Sequence, residues 1–287
     1  MAQFQSKYGY FNELGNEYII TRPDTPRPWV NVICLGDYGV VVSQAGSGYS
    51  WKTHASHNRI TRWEQDLIKD NSGKYIYLRD EDTGEFWSLT WKPVCYQPDF
   101  YQVHHGIGYS HFFSTYQDLK SRLTIFVPPA EPVEIWKVRL QNNSSRVKRL
   151  SLFTYVEWCL GLPDPAREFH RVFSETQFNG NLNTIFATKR LWEIPNTKGQ
   201  HWNRDWEYLA FHGVNSPVAG YEGDKEMFLG PYGVIEKPAA VVNGAVTGTT
   251  GKWSDPIGSL HNRIELAPGQ EMEIIYLIGA VSREKQE

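Results

Sequence analysis

The sequence predicts an all-β protein built as one large antiparallel β-sandwich, and three observations carry this. Short apolar or alternating runs rich in Val, Ile, Tyr, Phe and Thr recur between Gly, Pro, Asn and Asp, the pattern of half-buried strands separated by turns. Few stretches read as long helices, and many short strands with few helices favour sandwich packing. No shift in composition divides the 287 residues, and sandwiches of this size occur as single units.

The runs fall, in order, at residues 17–21, 38–43, 75–79, 121–127, 133–141, 149–158, 183–187, 264–267 and 271–278. Asp82-Thr83-Gly84 separates "YIYLRD" from "EFWSL", with Gly84 placed to take positive φ at a hairpin corner. "VEIWKVRLQNNSSRVKRLSLFTYVEW" alternates on both sides of Asn142–Ser145 and predicts a second hairpin whose arms each bury one face. Pro268-Gly269 within "IELAPGQEMEIIYLIG" predicts a third. After this last strand, Ser282 followed by Arg283, Glu284 and Lys285 reads as an N-cap opening a helix that the sequence leaves short. The sandwich is therefore expected over residues 1–280, and the start of a helix over 281–287.

Composition narrows the function. Hydrophobic residues make up 40% and charged residues 21%, which is globular rather than disordered. A formal net charge of −3, with Lys and Arg dispersed, gives no basic stripe for nucleic acid. Neither a signal peptide nor an apolar run of membrane-spanning length is visible, so no membrane partner and a cytoplasmic location are expected. Three scattered cysteines, Cys34, Cys95 and Cys159, suit neither a disulfide framework nor a zinc site. Aromatic residues are abundant, with 11 Trp; they pack cores and also stack on the C–H faces of sugar rings.

The motifs divide between structure and chemistry. "QAGSGYSW" followed by "NRITRW" matches no phosphate loop, whose glycine spacing differs. It reads as a tight corner in which Gly46 and Gly48 turn the chain while Tyr49 and Trp51 pack, and Arg59 and Arg62 bind nearby carbonyls or carboxylates. A sharper reading places Trp51 or Trp63 on a saccharide cleft. "HHGIGYSHF" holds His104, His105 and His111, but adjacent histidines on a strand face opposite ways and no ligand partner sits at metal spacing. The pairs Asp80 with Asp82 and Asp164 with Glu168 read as solvated turn acids. The best functional candidate is the stretch from Glu157-Trp158-Cys159 through Phe169-His170-Arg171, where a strand gives way to a projecting loop around Pro163, Asp164 and Pro165.

These stretches, with "YGYFNELGNEYIITRPDTPRPWVNVI", "VEWCLG", "FHR", "GDKEMFLGPYG" and "LAPGQEMEIIYLIG", occur in an order that resembles the N-terminal domain of the inverting glycoside phosphorylases of glycoside hydrolase family ninety-four. The family includes cellobiose, cellodextrin, chitobiose and 1,2-β-oligoglucan phosphorylases and part of the cyclic β-1,2-glucan synthases. The resemblance implies a galactose-mutarotase-like supersandwich, then a linker helix to an (α/α)₆ barrel that carries the catalytic Asp and is absent from this chain. It implies a homodimeric, cofactor-free enzyme that uses inorganic phosphate as co-substrate on β-linked gluco-oligosaccharides. This domain would then shape the acceptor side of the cleft and the dimer interface, partnered by the barrel of its own or a partner chain. No catalytic residue is expected in this chain, and Arg171, His170 and Trp158 are the implied substrate-binding residues; cellobiose phosphorylases carry Phe-Gln-Arg where this chain has Phe169-His170-Arg171. The competing reading is a stand-alone carbohydrate-binding or interaction module without catalysis. The coding sequence past residue 287 separates the two.

Overall fold

The structure, a computed structural model, describes residues 4–163, 173–190, 197–198 and 205–283. The chain opens with β1 (Gly9–Phe11), β2 (Glu17–Ile20), β3 (Val30–Leu35), β4 (Tyr38–Ser43), β5 (Gly48–Lys52), β6 (Arg59–Thr61), β7 (Tyr75–Asp80) and β8 (Phe86–Ser88). Next come β9 (Phe100–Gly106), β10 (Tyr109–Tyr116), β11 (Leu119–Phe126), β12 (Val133–Asn142), β13 (Lys148–Gly161), β14 (Ser174–Asn179) and β15 (Thr184–Lys189). After β16 (Tyr208–Val214) and β17 (Gly220–Asp224) stand two short helices, α1 (Lys225–Leu229) and α2 (Ala239–Asn243). The last strands are β18 (Gly251–Lys252), β19 (Pro256–Leu266) and β20 (Glu271–Ser282). Among the described residues, no helix is long and apolar enough to cross a membrane.

Two antiparallel sheets result. One has eleven strands in the order β1-β2-β9-β10-β11-β12-β20-β16-β15-β14-β18. The other has nine, in the order β17-β19-β13-β6-β5-β4-β3, with β7 on β13 and β8 on β7. The all-β sandwich is thus as the sequence predicts. Its core takes Phe112, Leu123, Trp136 and Tyr276 from the large sheet and Tyr38, Leu78, Leu152 and Trp158 from the small one.

Strand β12 alternates buried and half-buried residues along its whole length, as a strand with one face on the core must. Strand β13 does not, being buried at nearly every position from Leu150 to Val156. The reason is a second layer: α1 and α2 cover the outer face of the small sheet, and Phe228 and Val241 pack there on Tyr75, Tyr77, Phe153 and Tyr155. The Asp224 side chain caps α1 by accepting from the Glu226 N–H at 2.8 Å.

Of the expected hairpins, the one at Asp82–Gly84 is present, with β7 and β8 in register Arg79↔Phe86. The other two are corrected. Strand β12 pairs only with strands of the large sheet and β13 only with strands of the small one, so Asn142–Ser145 bridges the sheets. Pro268-Gly269 likewise carries the chain from β19 in one sheet to β20 in the other. Alternation reports which face is buried, not which strand is the partner. Buried Asn142 ties these two arches together: its side-chain amide donates to Leu266 O at 2.9 Å and to Arg146 O at 2.7 Å. Its backbone accepts from Gly269 N at 2.8 Å and donates to Gln270 O at 3.0 Å.

One charge pair crosses the core. The Lys74 ammonium meets Glu134 Oε1 at 2.5 Å, with both side chains essentially without exposure. The same carboxylate accepts from Ser50 Oγ at 2.5 Å and Trp136 Nε1 at 3.0 Å. Such a pair is tolerated in the interior because its lone pairs and protons are used. No disulfide joins Cys34, Cys95 and Cys159. Ser282, read as a helix cap, is the last residue of β20, and residues 284–287 lie outside the described ones.

Candidate functional site

The second half of β13 builds the site. Its period-two geometry sends Val156 and Trp158 into the core and Tyr155 and Glu157 to the outer face. Strand β6 pairs at Trp158↔Thr61 and Gly161↔Arg59 with an irregular register between. There Leu160 takes φ 53° and Gly161 φ 119°, a kink of the kind that re-aims a chain at a sheet rim. From it the chain leaves through exposed Leu162 towards residues 164–172, which lie outside the described ones, and returns at Phe173.

Glu157 is the centre of the polar network. Its Oε1 accepts from Arg62 NH1 at 2.9 Å and from Lys225 Nζ at 2.6 Å, and its Oε2 accepts from the Tyr155 hydroxyl at 3.0 Å. Arg62 also reaches Glu64 Oε1 at 2.7 Å, and its backbone N–H donates to Glu157 O at 2.8 Å. The Glu157 side chain is 13% exposed, so these charge-assisted bonds are less screened than surface pairs. Burial pushes the Tyr155 phenol well up, and the adjacent Glu157 carboxylate adds to it. These groups line a cavity of about 330 Å³ together with Asn71, Ser72 and the stretch 233–236. Exposed Tyr232 and Val234 belong to the loop that follows α1. A cavity of this size, with convergent donors and acceptors, suits a hydroxyl-rich ligand or a polar segment of another domain. With three donors on its two oxygens, Glu157 is arranged to hold geometry rather than to deliver a proton.

The expected site residues fare unequally. His170 and Arg171 lie outside the described residues. Trp158 is fully buried, and its indole fills the space beside Gly258, where a Cβ would meet Trp158 Cζ2 at 2.9 Å. It presents no surface to a ligand here. The glycine corner is structural, as its first reading held: at Gly48, φ 145°, a Cβ would stand 1.9 Å from Val41 O. Tyr49 stacks on Trp63 with ring centroids 5.1 Å apart, and the Arg59 guanidinium lies 4.5 Å over Tyr49. Arg59 donates to Ala55 O and Trp63 O at 3.1 and 3.0 Å. Trp51 is buried and Trp63 half-buried.

His105 points inward between Ser110 Oγ at 2.9 Å and Trp29 O at 3.1 Å, while His104 faces Glu17 at 3.2 Å on the other side of the strand. Among the described residues, no three side chains of metal-ligating type converge. Asp80 is buried rather than solvated, bound by Arg146 at 2.6 Å; Asp82 holds Arg146 and Arg149, each at 3.1 Å. Sequence reasoning missed Lys225 and Tyr155 as partners of Glu157. The available signal was Asp224 opening "KEMFL", which fixes the helix that presents Lys225.

Comparison with known proteins agrees with this architecture. Residues 16–287 match the family model described as "Glycosyl hydrolase 94, supersandwich domain". The chain is 34% identical over 277 residues to an N,N'-diacetylchitobiose phosphorylase of Vibrio proteolyticus, covering 95% of this chain and 33% of that protein. It is 30% identical to a solabiose phosphorylase of Paenibacillus borealis, covering 95% of this chain and 34% of the relative. A solved structure assigned to a kojibiose phosphorylase from human microbiome shares the fold, with TM-score 0.50 and 10% identity over 98% of this chain and 34% of that one. The chain thus spans about a third of the length of the curated relatives it matches. By the extent of the family match and by its two-sheet architecture, the chain belongs to the supersandwich domain family of glycosyl hydrolase 94.

Proposed function

We propose that this chain is the non-catalytic front part of an inverting glycoside phosphorylase that acts on β-linked gluco-oligosaccharides, and that it shapes the acceptor side of the cleft and part of a homodimer interface. In the reaction, a phosphate oxygen forms a bond to the anomeric carbon while the bond to the leaving sugar oxygen breaks. One carboxyl protonates that oxygen, since phosphate replaces the activated water of a hydrolase. The products are glucose 1-phosphate and a shortened acceptor; inorganic phosphate is the co-substrate, without an organic cofactor. On this reading the acid belongs to a part of the enzyme outside this chain, which spans about a third of the length of these relatives.

The observation that carries the reading is the convergence at the end of β13. Three of the motifs, "NRITRW" with Arg62, "VEWCLG" with Glu157 and "GDKEMFLG" with Lys225, meet around one polar cavity. His170 and Arg171 lie outside the described residues, and their part in the acceptor side of the cleft is a proposal that the resemblance to the family suggests. Both relatives named above are phosphorylases of disaccharides, by their names.

The test is Arg171→Ala in the full-length protein. A guanidinium holding sugar hydroxyls supplies about 1.5–3 kcal/mol, so acceptor KM should rise or kcat/KM fall by roughly ten- to hundredfold with melting temperature unchanged. Unchanged kinetics with lost stability would make Arg171 structural and remove the acceptor-side assignment. A full-length protein that eluted and scattered light as a monomer would remove the dimer assignment.

A further inference from the structure

The outer face of the large sheet carries a second concave surface, on the opposite side of the sandwich from Glu157. Along β9 to β20 the register aligns two neighbouring rows. One runs Gln102, Phe113, Arg122, Arg139, Glu273; the other runs Phe100, Thr115, Lys120, Gln141, Glu271. Between the rows lies a groove of about 370 Å³.

Its charge is unbalanced. Arg139 is held by Glu273 at 2.7 Å, with Glu271 at 3.9 Å. Arg122 is half-buried and has no carboxylate partner among the described residues; its Nε reaches only Thr124 Oγ1 at 3.4 Å, and its guanidinium stands 5.8 Å from the Phe113 ring. Lys120 is exposed and likewise without an acidic partner among the described residues. A partly desolvated guanidinium with unused donors is a fork for a planar carboxylate or a phosphate. Across the same groove, on β9 in the row of Lys120, Phe100 is 47% exposed and offers an apolar face of the kind that packs on a sugar ring. Thr115 and Gln141 supply hydroxyl and amide groups between them. The volume admits about one ring, at the small end of ligand pockets.

We propose that this groove binds a sugar bearing an anionic group, a sugar carboxylate or a sugar phosphate, with Arg122 and Lys120 on the anion and Phe100 against the ring. This site is separate from the Glu157 cavity and does not rest on the function proposed for it.

The experiment titrates the 287-residue chain at constant ionic strength with glucuronate, glucose 1-phosphate, glucose and inorganic phosphate, followed by calorimetry and backbone amide shifts. The expected result is saturable binding of glucuronate or glucose 1-phosphate, at least about tenfold tighter than glucose or inorganic phosphate, with shifts on β10 to β12. The better of the two names the anion. Arg122→Gln should weaken it by about tenfold or more at unchanged melting temperature, and Arg122→Lys should fall between. Equal binding of inorganic phosphate and the sugar anion, absence of saturation, or binding unaffected in folded Arg122→Gln protein would each overturn the proposal.

Discussion

Lys74 and Glu134 show what a buried charge demands of its surroundings. Burial pushes the Lys74 ammonium down, while the Glu134 carboxylate opposes that shift. Removing one partner leaves the other charged and unpaired in the core, which costs about 3–5 kcal/mol, whereas replacing both with apolar groups of similar volume is close to neutral. Glu134→Leu should therefore unfold at markedly lower urea than Lys74→Met/Glu134→Leu; equal midpoints would show that the pair is not coupled. His212 acts in the same interior through pH. Burial lowers it to about 4, against an ordinary 6.5, and the Leu277 carbonyl only partly opposes this. Between those values the unfolded chain binds a proton that the native chain does not, so stability rises with pH from about 4 to about 6.5 and then levels. His105, His111 and His261 are lowered to about 4 as well, each chiefly by burial. The slope of unfolding free energy against pH in this window should be positive, and smaller by about one proton in His212→Gln. A flat profile for the parent protein would contradict the burial argument.

At the level of elements, periodicity and turn chemistry made strands legible but not their partners. Strand β4 lies at residues 38–43 as read, and β12 and β20 overlap their expected runs closely. The turns at Asn142–Ser145 and Pro268-Gly269 looked like hairpins because a polar tip between two alternating arms has the same sequence whether the arms pair or face each other across a core. Strand β19 was read only from residue 264 although it begins at Pro256, since burial on both faces erases alternation. Asn142 makes the arches testable. Asn142→Ala leaves the Leu266 and Arg146 carbonyls without their side-chain donor and should cost about 1–3 kcal/mol. Asn142→Asp, which keeps the shape but loses the amide donors, should cost at least as much. Loss of less than about 0.5 kcal/mol in both would mean that the arches are held by their backbone bonds alone.

For the whole molecule, the sandwich and its family could be read from motif order, but the Glu157 network could not. Its members come from residues 62, 155, 157 and 225, and nothing local in a sequence announces a meeting over such separations. The same network bears on catalysis. Phosphorolysis needs a carboxyl free to give a proton, a seat for phosphate and a sugar held between them, and their joint positioning supplies much of the rate enhancement. Glu157 has its oxygens taken by Arg62, Lys225 and Tyr155, and Asp80 is bound by Arg146 with Lys148 at 3.7 Å. Neither is placed to act as the acid. The 287-residue chain should therefore fold and melt as a β-rich protein yet release no sugar 1-phosphate from cellobiose, N,N'-diacetylchitobiose or β-1,2-glucan mixed with phosphate, whereas the function proposed above requires the full-length protein to do so with at least one β-linked substrate. Phosphorolysis that persists in the pure chain and is abolished by Glu157→Gln would make Glu157 the proton donor, and would move the catalytic site into the supersandwich itself.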